Sequence, residues 1–470
     1  MNVLIFGTGK FYQNRKEHIR EVLGEDEVLG FLDNHRTGIF EGKPVYAPED
    51  GIRLPYDKIL LMSAAASEMR EQLLSLGISD DQIVLIDELS AWKASGKLQI
   101  YAGSRARTGK RILIISEMLD YNGGAMAAVY AAEALQGRGY DVSLAVPNVN
   151  ENLLHEVQAQ GLTVIYCPTL PFVFEAERRW ISTFDIVLVN VFPMMVSAIE
   201  ISQFRPVLWW IHEPSGFYPW TLGRFVKHAS RIPQFHGRIL AVSSIAEQNF
   251  HSVGMPDGRM PYGIPDTGRQ DESSENVHHG ICFALIGSIG ERKAPDVFLE
   301  ALSHLQERNE APVSALIIGP LGESDYVRRL QETATGLGNV CFTGNLTRAE
   351  MKKMFCQIDV VVCPSREDPL PIVVTEGMMH RKICIASDAT GQAQDIIRDG
   401  ENGFICKAGD AASLTEKMSY VIEHFDELNP MREKARETYE KYFSMEAFGE
   451  RLERELLLTE KEYWEREKKG

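Results

Sequence analysis

The sequence lacks an excess of basic residues. Its 470 residues include 49 Lys and Arg against 66 Asp and Glu, which gives a formal net charge of −17 at pH 7. A protein whose whole surface binds nucleic acid needs a basic excess, so nucleic acid is not expected as a partner. The acidic balance still leaves room for a local basic pocket that binds a phosphorylated small molecule.

Cysteine is scarce, and its spacing shows no pairing. The seven cysteines include no C-x-x-C pair, and most lie in apolar runs such as Ile281-Cys282-Phe283. Buried free thiols in a reducing compartment explain this pattern better than a disulfide framework or a zinc site. We therefore expect no metal site.

Long hydrophobic runs are also missing. The most apolar stretch, from Ile186 to Ile199, is short and is interrupted by Asn190 and Pro193, so it cannot span a bilayer. The sequence opens directly on a strand-like segment and a glycine turn, without a basic region followed by an apolar one. We expect a cytoplasmic protein, for which peripheral association with a membrane or a complex stays open.

The length predicts about three domains at roughly 150 residues each. Short apolar strands alternate with amphipathic segments, which is typical of parallel sheets with crossover helices. The alternation restarts after two polar stretches, 94–110 and 267–279, which we interpret as linkers. A charged helical segment ends the chain, and its apolar positions are expected to pack back across the two larger domains. The predicted units are 1–95, 110–266, 280–428 and 429–470.

The strongest chemical signal follows a buried strand of the third unit. The segment reads Val361-Val362-Cys363-Pro364-Ser365-Arg366-Glu367-Asp368-Pro369-Leu370-Pro371-Ile372-Val373-Val374-Thr375-Glu376-Gly377-Met378. A turn with two acids leads into a helix that starts near Pro371, and free N–H groups at a helix start can hold a diphosphate. Asp368 and Glu376 can then accept hydrogen bonds from sugar hydroxyls. An ordinary polar turn followed by a helix-dipole acid explains the same residues about as well.

With this segment, residues 282–425 resemble the nucleotide-sugar domain of retaining GT-B glycosyltransferases, which carry a paired-glutamate motif, E-x7-E. Glu376 matches the second glutamate, which in the family holds the donor ribose. Asp368 stands at the first position with Glu367 directly before it, and which of the two meets the donor sugar stays open. The resemblance also places three residues at the donor-binding helix start: Leu370, Pro371 and Ile372.

A glycine loop in the same unit agrees with this resemblance. Gly287-Ser288-Ile289-Gly290-Glu291-Arg292-Lys293 resembles the family's phosphate-binding loop, and Lys293 matches its lysine. Cations belong here because the leaving diphosphate gains charge as the glycosidic bond breaks. Many members carry an arginine where this chain has Ser288, and Arg292 is the candidate to compensate. Gly319 resembles the glycine that lines the base pocket. Without the neighbouring motif, a solvated Arg-Lys pair is the plainer interpretation.

The middle unit resembles the acceptor half of the same fold. Gly123 and Gly124 lie between a strand and a helix of small residues, and in similar enzymes such a pair lets the backbone approach the donor phosphate and the acceptor. His212 ends a strand in a Trp-Trp-Ile-His-Glu segment, where it would contact the reacting sugar or its acceptor. A lone histidine at a strand end is more often structural. Three aromatic residues follow, and either stack on acceptor sugars or pack a loop: Phe217, Tyr218 and Trp220.

The N-terminal unit is less specific. Gly7-Thr8-Gly9 is followed by Tyr12 in place of a third glycine, which leaves an incomplete dinucleotide fingerprint. Asp33 ends the second strand, where a ribose-binding acid would be. Binding of a nucleotide or a nucleotide sugar and docking of a partner are equally supported.

The resemblance implies an α/β protein with a GT-B fold, made of two facing Rossmann-like domains, plus a small N-terminal Rossmann-like domain. It implies that a sugar moves from a nucleoside-diphosphate sugar to a hydroxyl of a saccharide or lipid-linked acceptor, with retention of configuration and without a metal or other cofactor. One alternative is a GT-B nucleotide-sugar epimerase, because the fold also hosts that chemistry. The other is a non-catalytic sugar-nucleotide-binding protein, suggested by Ser288, Asp368 and Asp395, which depart from the family pattern.

Overall fold

A computed structural model describes residues 1–63, 66–104, 109–268, 280–308 and 313–468. They form three mostly parallel β-sheets with crossover helices, which confirms the predicted α/β class. We name the parts built on these sheets the N-terminal domain, the middle domain and the third domain, in chain order. Each sheet has apolar side chains on both faces: in one middle-domain strand, Ile112 and Ile114 join one buried cluster, while Leu113 and Ile115 join another. Burial on both faces is typical of parallel sheets covered by helices.

The N-terminal domain contains a sheet with strand order β3-β4-β2-β1-β5-β6, in which only the β3–β4 hairpin is antiparallel. Its strands are β1 Asn2–Phe6, β2 Glu27–Leu32, β3 Gly38–Phe40, β4 Lys43–Tyr46, β5 Lys58–Leu61 and β6 Ile83–Leu85. Its helices are α1 Lys10–Gln13, α2 Lys16–Leu23, α3 Pro48–Gly51, α4 Ala66–Ser75 and α5 Ile86–Ala94.

The middle domain has strand order β14-β13-β12-β11-β8-β9-β10-β7. Its strands are β7 Gln99–Tyr101, β8 Arg111–Ile115, β9 Asp141–Val146, β10 Thr163–Tyr166, β11 Ile186–Asn190, β12 Val207–Ile211, β13 Arg238–Ala241 and β14 Gly258–Arg259. Its helices are α6 Gly123–Gly137, α7 Glu151–Ala159, α8 Glu175–Ile181, α9 Met195–Ile201, α10 Phe217–Arg224, α11 Val226–Ala229 and α12 Ser244–Phe250.

The third domain has an entirely parallel sheet with strand order β17-β16-β15-β18-β19-β20. Its strands are β15 Ile281–Ile286, β16 Val313–Ile318, β17 Val340–Gly344, β18 Val360–Cys363, β19 Ile383–Ser387 and β20 Phe404–Cys406. Its helices are α13 Pro295–Glu307, α14 Asp325–Leu337, α15 Arg348–Phe355, α16 Ile372–Met379, α17 Gly391–Asp395 and α18 Ala411–His424, followed by α19 Asn429–Tyr442 and α20 Met445–Glu467.

The interpretation of 94–110 as a linker between the first two domains is wrong in part. Strand β7 lies in this stretch and pairs antiparallel with β10, with Ile100 opposite Ile165. A three-residue strand of this kind is held by backbone hydrogen bonds to the sheet edge, so its side chains carry no periodic signal. Residues 105–108 of the first predicted linker and 269–279 of the second lie outside the described residues.

The C-terminal helices connect the two larger domains. Helix α19 packs against α16, and α20 crosses to the middle domain, where Phe448 stacks on Trp210 with 5.6 Å between ring centroids. Arg138 Nε donates to Glu453 Oε2 at 2.8 Å on the same face. The expectation that this segment packs back across both domains is confirmed. No helix among the described residues is long and apolar enough to cross a bilayer.

Candidate functional site

The site is positioned by the strand order of the two larger sheets. In the third domain, chain direction across the sheet reverses between β15 and β18, so the loops that follow these two strands diverge to opposite sides and leave a crevice. In the middle domain the same reversal lies between β8 and β11. Ligands of open α/β sheets bind at such points, outside the carboxyl ends of the strands. The glycine loop follows β15 and the paired-acid segment follows β18, so the sequence signals meet at this crevice.

Two glycines shape the floor of the crevice. Gly287 and Gly319 follow β15 and β16 with φ angles of +142° and +148°, which side chains rarely adopt. A Cβ on Gly319 would lie 1.9 Å from the carbonyl oxygen of Gly287, so a larger residue cannot fit. A Cβ on Gly287 would lie 3.5 Å from Lys293 Cε, which places the lysine stem directly over this turn.

The predicted phosphate-binding cations contact the first acidic position of the motif. Lys293 Nζ pairs with Asp368 Oδ2, and Arg292 Nη1 lies 3.4 Å from the same oxygen. Arg292 Nη1 also donates to the carbonyl oxygen of Glu367 at 2.9 Å. Asp368 is 6% exposed, whereas the side chains of Lys293 and Arg292 are 16% and 41% exposed, so a buried carboxylate meets two cations that stay accessible.

The neighbouring acid points the other way, toward the middle domain. Glu367 Oε1 accepts from the backbone N–H of Ser215 at 2.6 Å and from Asn249 Nδ2 at 2.7 Å, while Oε2 accepts from Ser215 Oγ at 2.7 Å. Both carboxylate oxygens of Glu367 are therefore engaged across the domain interface. The structure brings Asp368, and not the Glu367 carboxylate, to Lys293.

The start of α16 is fixed from both domains. Pro371 is the residue before the helix, close to the predicted position, and its carbonyl oxygen accepts from Gln392 Nε2 at 2.8 Å. The carbonyl oxygen of Leu370 accepts from Tyr262 Oη of the middle domain at 2.7 Å. These contacts hold the predicted donor-binding residues of the helix start in one place.

One member of the middle-domain glycine pair, Gly123, faces this helix. Gly123 begins α6, and a Cβ there would lie 3.7 Å from Ile372 Cδ1. The carbonyl oxygen of Gly124 accepts from Asn190 Nδ2 at 2.9 Å, and a Cβ on Gly124 would lie 3.0 Å from Val191 Cγ1. Gly123 therefore lies at the contact with the third domain, whereas a side chain on Gly124 would crowd Val191 within the middle domain.

Glu376 lines a large cavity of about 1510 Å³ between the middle and third domains. The cavity wall includes Gly123, Tyr130 and Ile372, and Arg348 projects from the third domain near Tyr121. Burial raises the pKa of the Glu376 carboxyl to about 7, and Arg348 opposes the rise. A half-buried acid with this pKa can accept hydrogen bonds from hydroxyl groups of a ligand in the cavity.

His212 and Glu213 follow β12. Burial lowers the pKa of His212 to about 3, so its imidazole is neutral, and its buried Nε2 has no hydrogen-bond partner among the described residues. Burial also raises the pKa of Glu213 to about 7, while the backbone N–H of His212 donates to this carboxylate at 2.9 Å and opposes the rise. The backbone bond orients the Glu213 side chain, which the sequence analysis did not single out.

The raised pKa of Glu213 makes stability depend on pH. An unfolded chain loses this proton near pH 4.5, whereas the folded protein keeps it up to about pH 7. The stabilising contribution is therefore complete below pH 4.5 and is lost as the pH rises through 7. Between about pH 5 and about pH 8, the unfolding free energy of the wild type should fall by roughly 2 kcal/mol relative to Glu213→Gln. Urea unfolding measures this, and parallel pH curves for the two proteins would contradict it.

Two positioning residues, Arg366 and Asp296, escaped the sequence analysis. Arg366, inside the motif, makes a two-pronged ion pair with Asp296, with Nη2 2.6 Å from Oδ2. Its backbone N–H donates to the carbonyl oxygen of Arg292 at 2.8 Å. The pair fixes the acidic loop against the phosphate loop. The sequence offered one signal for this ion pair, the planar guanidinium within the motif. Its partner Asp296 lies 70 residues away, so the sequence did not identify the pair.

The remaining sequence candidates differ in exposure and in hydrogen bonding. Of the aromatic residues after His212, Tyr218 is buried, while Phe217 and Trp220 are 45% and 51% exposed and lie in edge contact. In the N-terminal domain, Asp33 accepts from Thr8 Oγ1 at 2.6 Å and from two turn N–H groups, so its carboxylate already stabilises the turn. Over the described ranges, no His, Cys, Asp and Glu side chains cluster in threes as a metal site would require.

Three family models match the chain. "Glycosyl transferases group 1" matches residues 267–438, "Glycosyl-transferase family 4" matches 108–231, and "C2185-like, N-terminal" matches 1–84. The first covers the third domain with the acidic motif and the phosphate loop, and the second covers the part of the middle domain that contains the glycine pair.

Individual relatives and solved structures are also similar to the chain. The sulfoquinovosyl transferase SQD2 of Arabidopsis thaliana is 29% identical over 33% of this chain and 29% of its own length. The putative glycosyltransferase EpsD of Bacillus subtilis is 29% identical over 41% of this chain and 49% of its own length. The chain thus spans less than half the length of these two relatives. The structure of Anabaena Alr3699/HepE in complex with UDP-glucose matches 74% of this chain and its own full length, with a TM-score of 0.63 and 17% identity.

The last match establishes the fold of the middle and third domains, in which two facing sheets enclose a crevice at their carboxyl ends. The two glycosyltransferase family models match residues of the same two domains. The middle and third domains therefore have the GT-B fold, and each of them matches a glycosyltransferase family model.

Proposed function

We propose that this protein is a retaining glycosyltransferase that moves a sugar from a nucleoside-diphosphate sugar to a hydroxyl of a saccharide or lipid-linked acceptor. The observation that carries the proposal is the grouping of Lys293 and Arg292 with Asp368 at the β15/β18 crevice, with Glu376 on the adjoining cavity wall. The UDP-glucose complex of the HepE protein, which has the same fold, supports a nucleotide-sugar donor.

The cations account for departure of the diphosphate. When the bond between the anomeric carbon and the diphosphate oxygen breaks, that oxygen takes the electron pair, and Lys293 and Arg292 stabilise the charge. The start of α16 adds N–H groups that favour an anion. In the structure Lys293 pairs with Asp368, so the lysine is already held beside the position that the diphosphate would take. No metal or other cofactor is proposed, because these groups supply the positive charge.

The acids account for donor orientation. We assign Asp368 to the hydroxyls of the donor sugar and Glu376 to the ribose. Glu367 instead links the two domains through Ser215 and Asn249. It would therefore act on the donor indirectly, by holding the loop that carries Asp368. We assign His212 to the transferred sugar, because its imidazole is neutral and its buried Nε2 lacks a partner within the described residues.

Retention follows from attack on the face that the diphosphate leaves. The acceptor hydroxyl forms the new bond to the anomeric carbon and gives its proton to the departing diphosphate oxygen, so charge and atoms balance. We propose this front-face route because neither Asp368, which is paired with Lys293, nor the neutral His212 has the character of a covalent nucleophile. A reducing, cytoplasmic setting fits the free cysteines.

A two-stage experiment tests the proposal. First, thermal unfolding is followed with UDP, GDP and ADP sugars, and the true donor series is expected to raise the melting temperature by mass action. Second, that donor is incubated without acceptor, and proton NMR is expected to show slow release of the free sugar with the donor's anomeric configuration. Release of the opposite anomer first would contradict retention. A converted nucleotide sugar would identify an epimerase, and binding without turnover would identify a sugar-nucleotide-binding protein.

A further inference from the structure

A second cavity lies where the N-terminal domain meets the middle domain. Its volume is about 270 Å³, at the lower end of small-molecule sites and suited to a ligand of monosaccharide size. The N-terminal domain contributes His18, Asp87 and Ser90 to its wall. The middle domain contributes residues that include Glu117, Asn148 and Tyr166. Neither domain encloses the cavity alone.

The two walls are held in a fixed relation by charged contacts. Arg224 Nε of α10 donates to Asp87 Oδ2 of α5 at 2.8 Å. Lys227 Nζ of α11 donates to the carbonyl oxygen of Ile83 at 2.9 Å and to Glu88 Oε1 at 3.0 Å. The Lys227 side chain is 8% exposed, so the pair is largely desolvated and sensitive to displacement. The N-terminal domain therefore docks on the helices that follow β12 and His212.

The position of the cavity relates it to the transfer site. Glu117 follows β8 and Pro193 follows β11, so the cavity opens at the carboxyl ends of the strands that flank the middle-domain reversal point. The loop from 117 to 123 runs from this cavity to the large one, whose wall includes Tyr121 and Gly123. A ligand held here lies on the middle-domain side of the crevice, away from the donor cations.

The lining matches the chemistry of an uncharged sugar. Glu117, Asn148 and Tyr166 supply a carboxylate, an amide and a phenol, and their side chains have no hydrogen-bond partner within the described ranges. These groups together accept and donate bonds to hydroxyls. Arg224 pairs with Asp87, and Glu117 adds a carboxyl group whose pKa is raised by burial and lowered by Arg224, so the lining offers no unpaired arginine to an anionic ligand. Prolines and Phe172 provide apolar surface for the C–H face of a sugar ring.

We propose that this cavity binds an uncharged saccharide unit of the acceptor, so that the N-terminal domain completes the acceptor site. The assignment of the bound sugar to the acceptor rests on the proposed function, whereas sugar binding in the cavity can be tested independently of it. It assigns the N-terminal domain a role in acceptor recognition.

Binding is tested on the full chain by saturation-transfer NMR with methyl glycosides of glucose, galactose, mannose, N-acetylglucosamine and glucuronic acid. At least one uncharged glycoside should bind, and the glucuronide should not. Ser90→Trp fills the cavity and should weaken binding about tenfold or more, whereas Lys97→Trp, an exposed position just beyond the same helix, should leave it unchanged. Sugar bound in the large cavity would be insensitive to Ser90→Trp. Equal binding to both variants, or no binding of any uncharged glycoside, would overturn the proposal.

A milder variant guards against misfolding of Ser90→Trp. Tyr166→Phe removes one hydroxyl and should weaken the same glycoside about fivefold, and unchanged affinity would overturn the proposal. The proposed transferase activity is tested separately, by measuring hydrolysis of the nucleotide-sugar donor without acceptor. If the wild type transfers the sugar, Ser90→Trp should raise the acceptor KM and leave donor hydrolysis unchanged. Absent hydrolysis in the wild type contradicts the proposed function, while the NMR result still decides on the sugar site.

Discussion

Glu376→Ala is expected to lower kcat/KM for the nucleotide-sugar donor by about 10²–10³-fold while the protein stays folded. Glu376 faces the large cavity from α16, and its carboxyl is the group assigned to the ribose hydroxyls. Its truncation removes a charged acceptor from a partly desolvated wall, where hydrogen bonds to charged groups are strong. Steady-state kinetics measures the loss, and circular dichroism and thermal unfolding check the fold.

The pH profile supplies an independent readout of the same carboxyl. Burial raises the pKa of Glu376 to about 7, so about half of the protein carries the charged form at neutral pH. The ionised form accepts hydroxyl bonds best, so kcat/KM should rise with pH up to and slightly above 7 and then level off. Glu376→Gln keeps the shape but cannot ionise, and this rising limb should disappear.

An exposed acid provides the matched control. Glu423→Ala, on the outer face of α18, should retain wild-type kinetics and the wild-type pH profile. Near-wild-type turnover of Glu376→Ala would contradict the assignment. If the rise of kcat/KM with pH is unchanged in Glu376→Gln, another group causes it. Glu213 is a candidate, because burial also raises its pKa to about 7.

The strands and the helix start were predictable because their signals are local. The apolar runs that form β15 and β18 are buried along their length, and Pro371 marks the beginning of α16 in the sequence as in the structure. Lys293 and Asp368 are 75 residues apart, yet the alternation of strands and helices brings both to the carboxyl edge of one sheet. The parallel sheet therefore explains why these two segments, which the family resemblance assigned to one site, meet in the structure.

The roles of adjacent acids were not predictable from the sequence. Glu367 and Asp368 are neighbours with similar chemistry, and their side chains point toward different domains. What separates them is the position of Ser215 and Asn249, which lie 152 and 118 residues away from Glu367 in another domain. Only the packing of the two domains decides which carboxylate meets Lys293.

The aromatic segment after His212 shows the same limit. Phe217 and Trp220 are exposed, whereas Tyr218 is buried against Phe192 with 4.6 Å between ring centroids. A short helix that carries aromatic residues on several faces gives no period from which the buried face can be chosen. The docking of α10 on the N-terminal domain, through Arg224, likewise depends on a partner far away in the chain.

Lys293→Ala is expected to impair both catalysis and stability. Loss of the cation beside the leaving diphosphate should lower kcat by about 10²–10³-fold. Among the described residues, Arg292 at 3.4 Å is then the one cation left beside Asp368, which is 6% exposed, so the unfolding free energy should fall by roughly 2–4 kcal/mol. Single-turnover kinetics and urea unfolding measure the two effects separately.

A second substitution separates the two consequences. Lys293→Ala with Asp368→Asn removes the unpaired charge, so stability should recover by more than half while turnover stays low, because the diphosphate still lacks its cation. Glu367→Gln is the matched acid control: its side chain can still accept from Ser215, and the loss of turnover should stay below about tenfold. Recovery of turnover together with stability in the double variant would mean that Lys293 acts only by neutralising Asp368. A larger loss in Glu367→Gln than in Asp368→Asn would assign the donor sugar to Glu367.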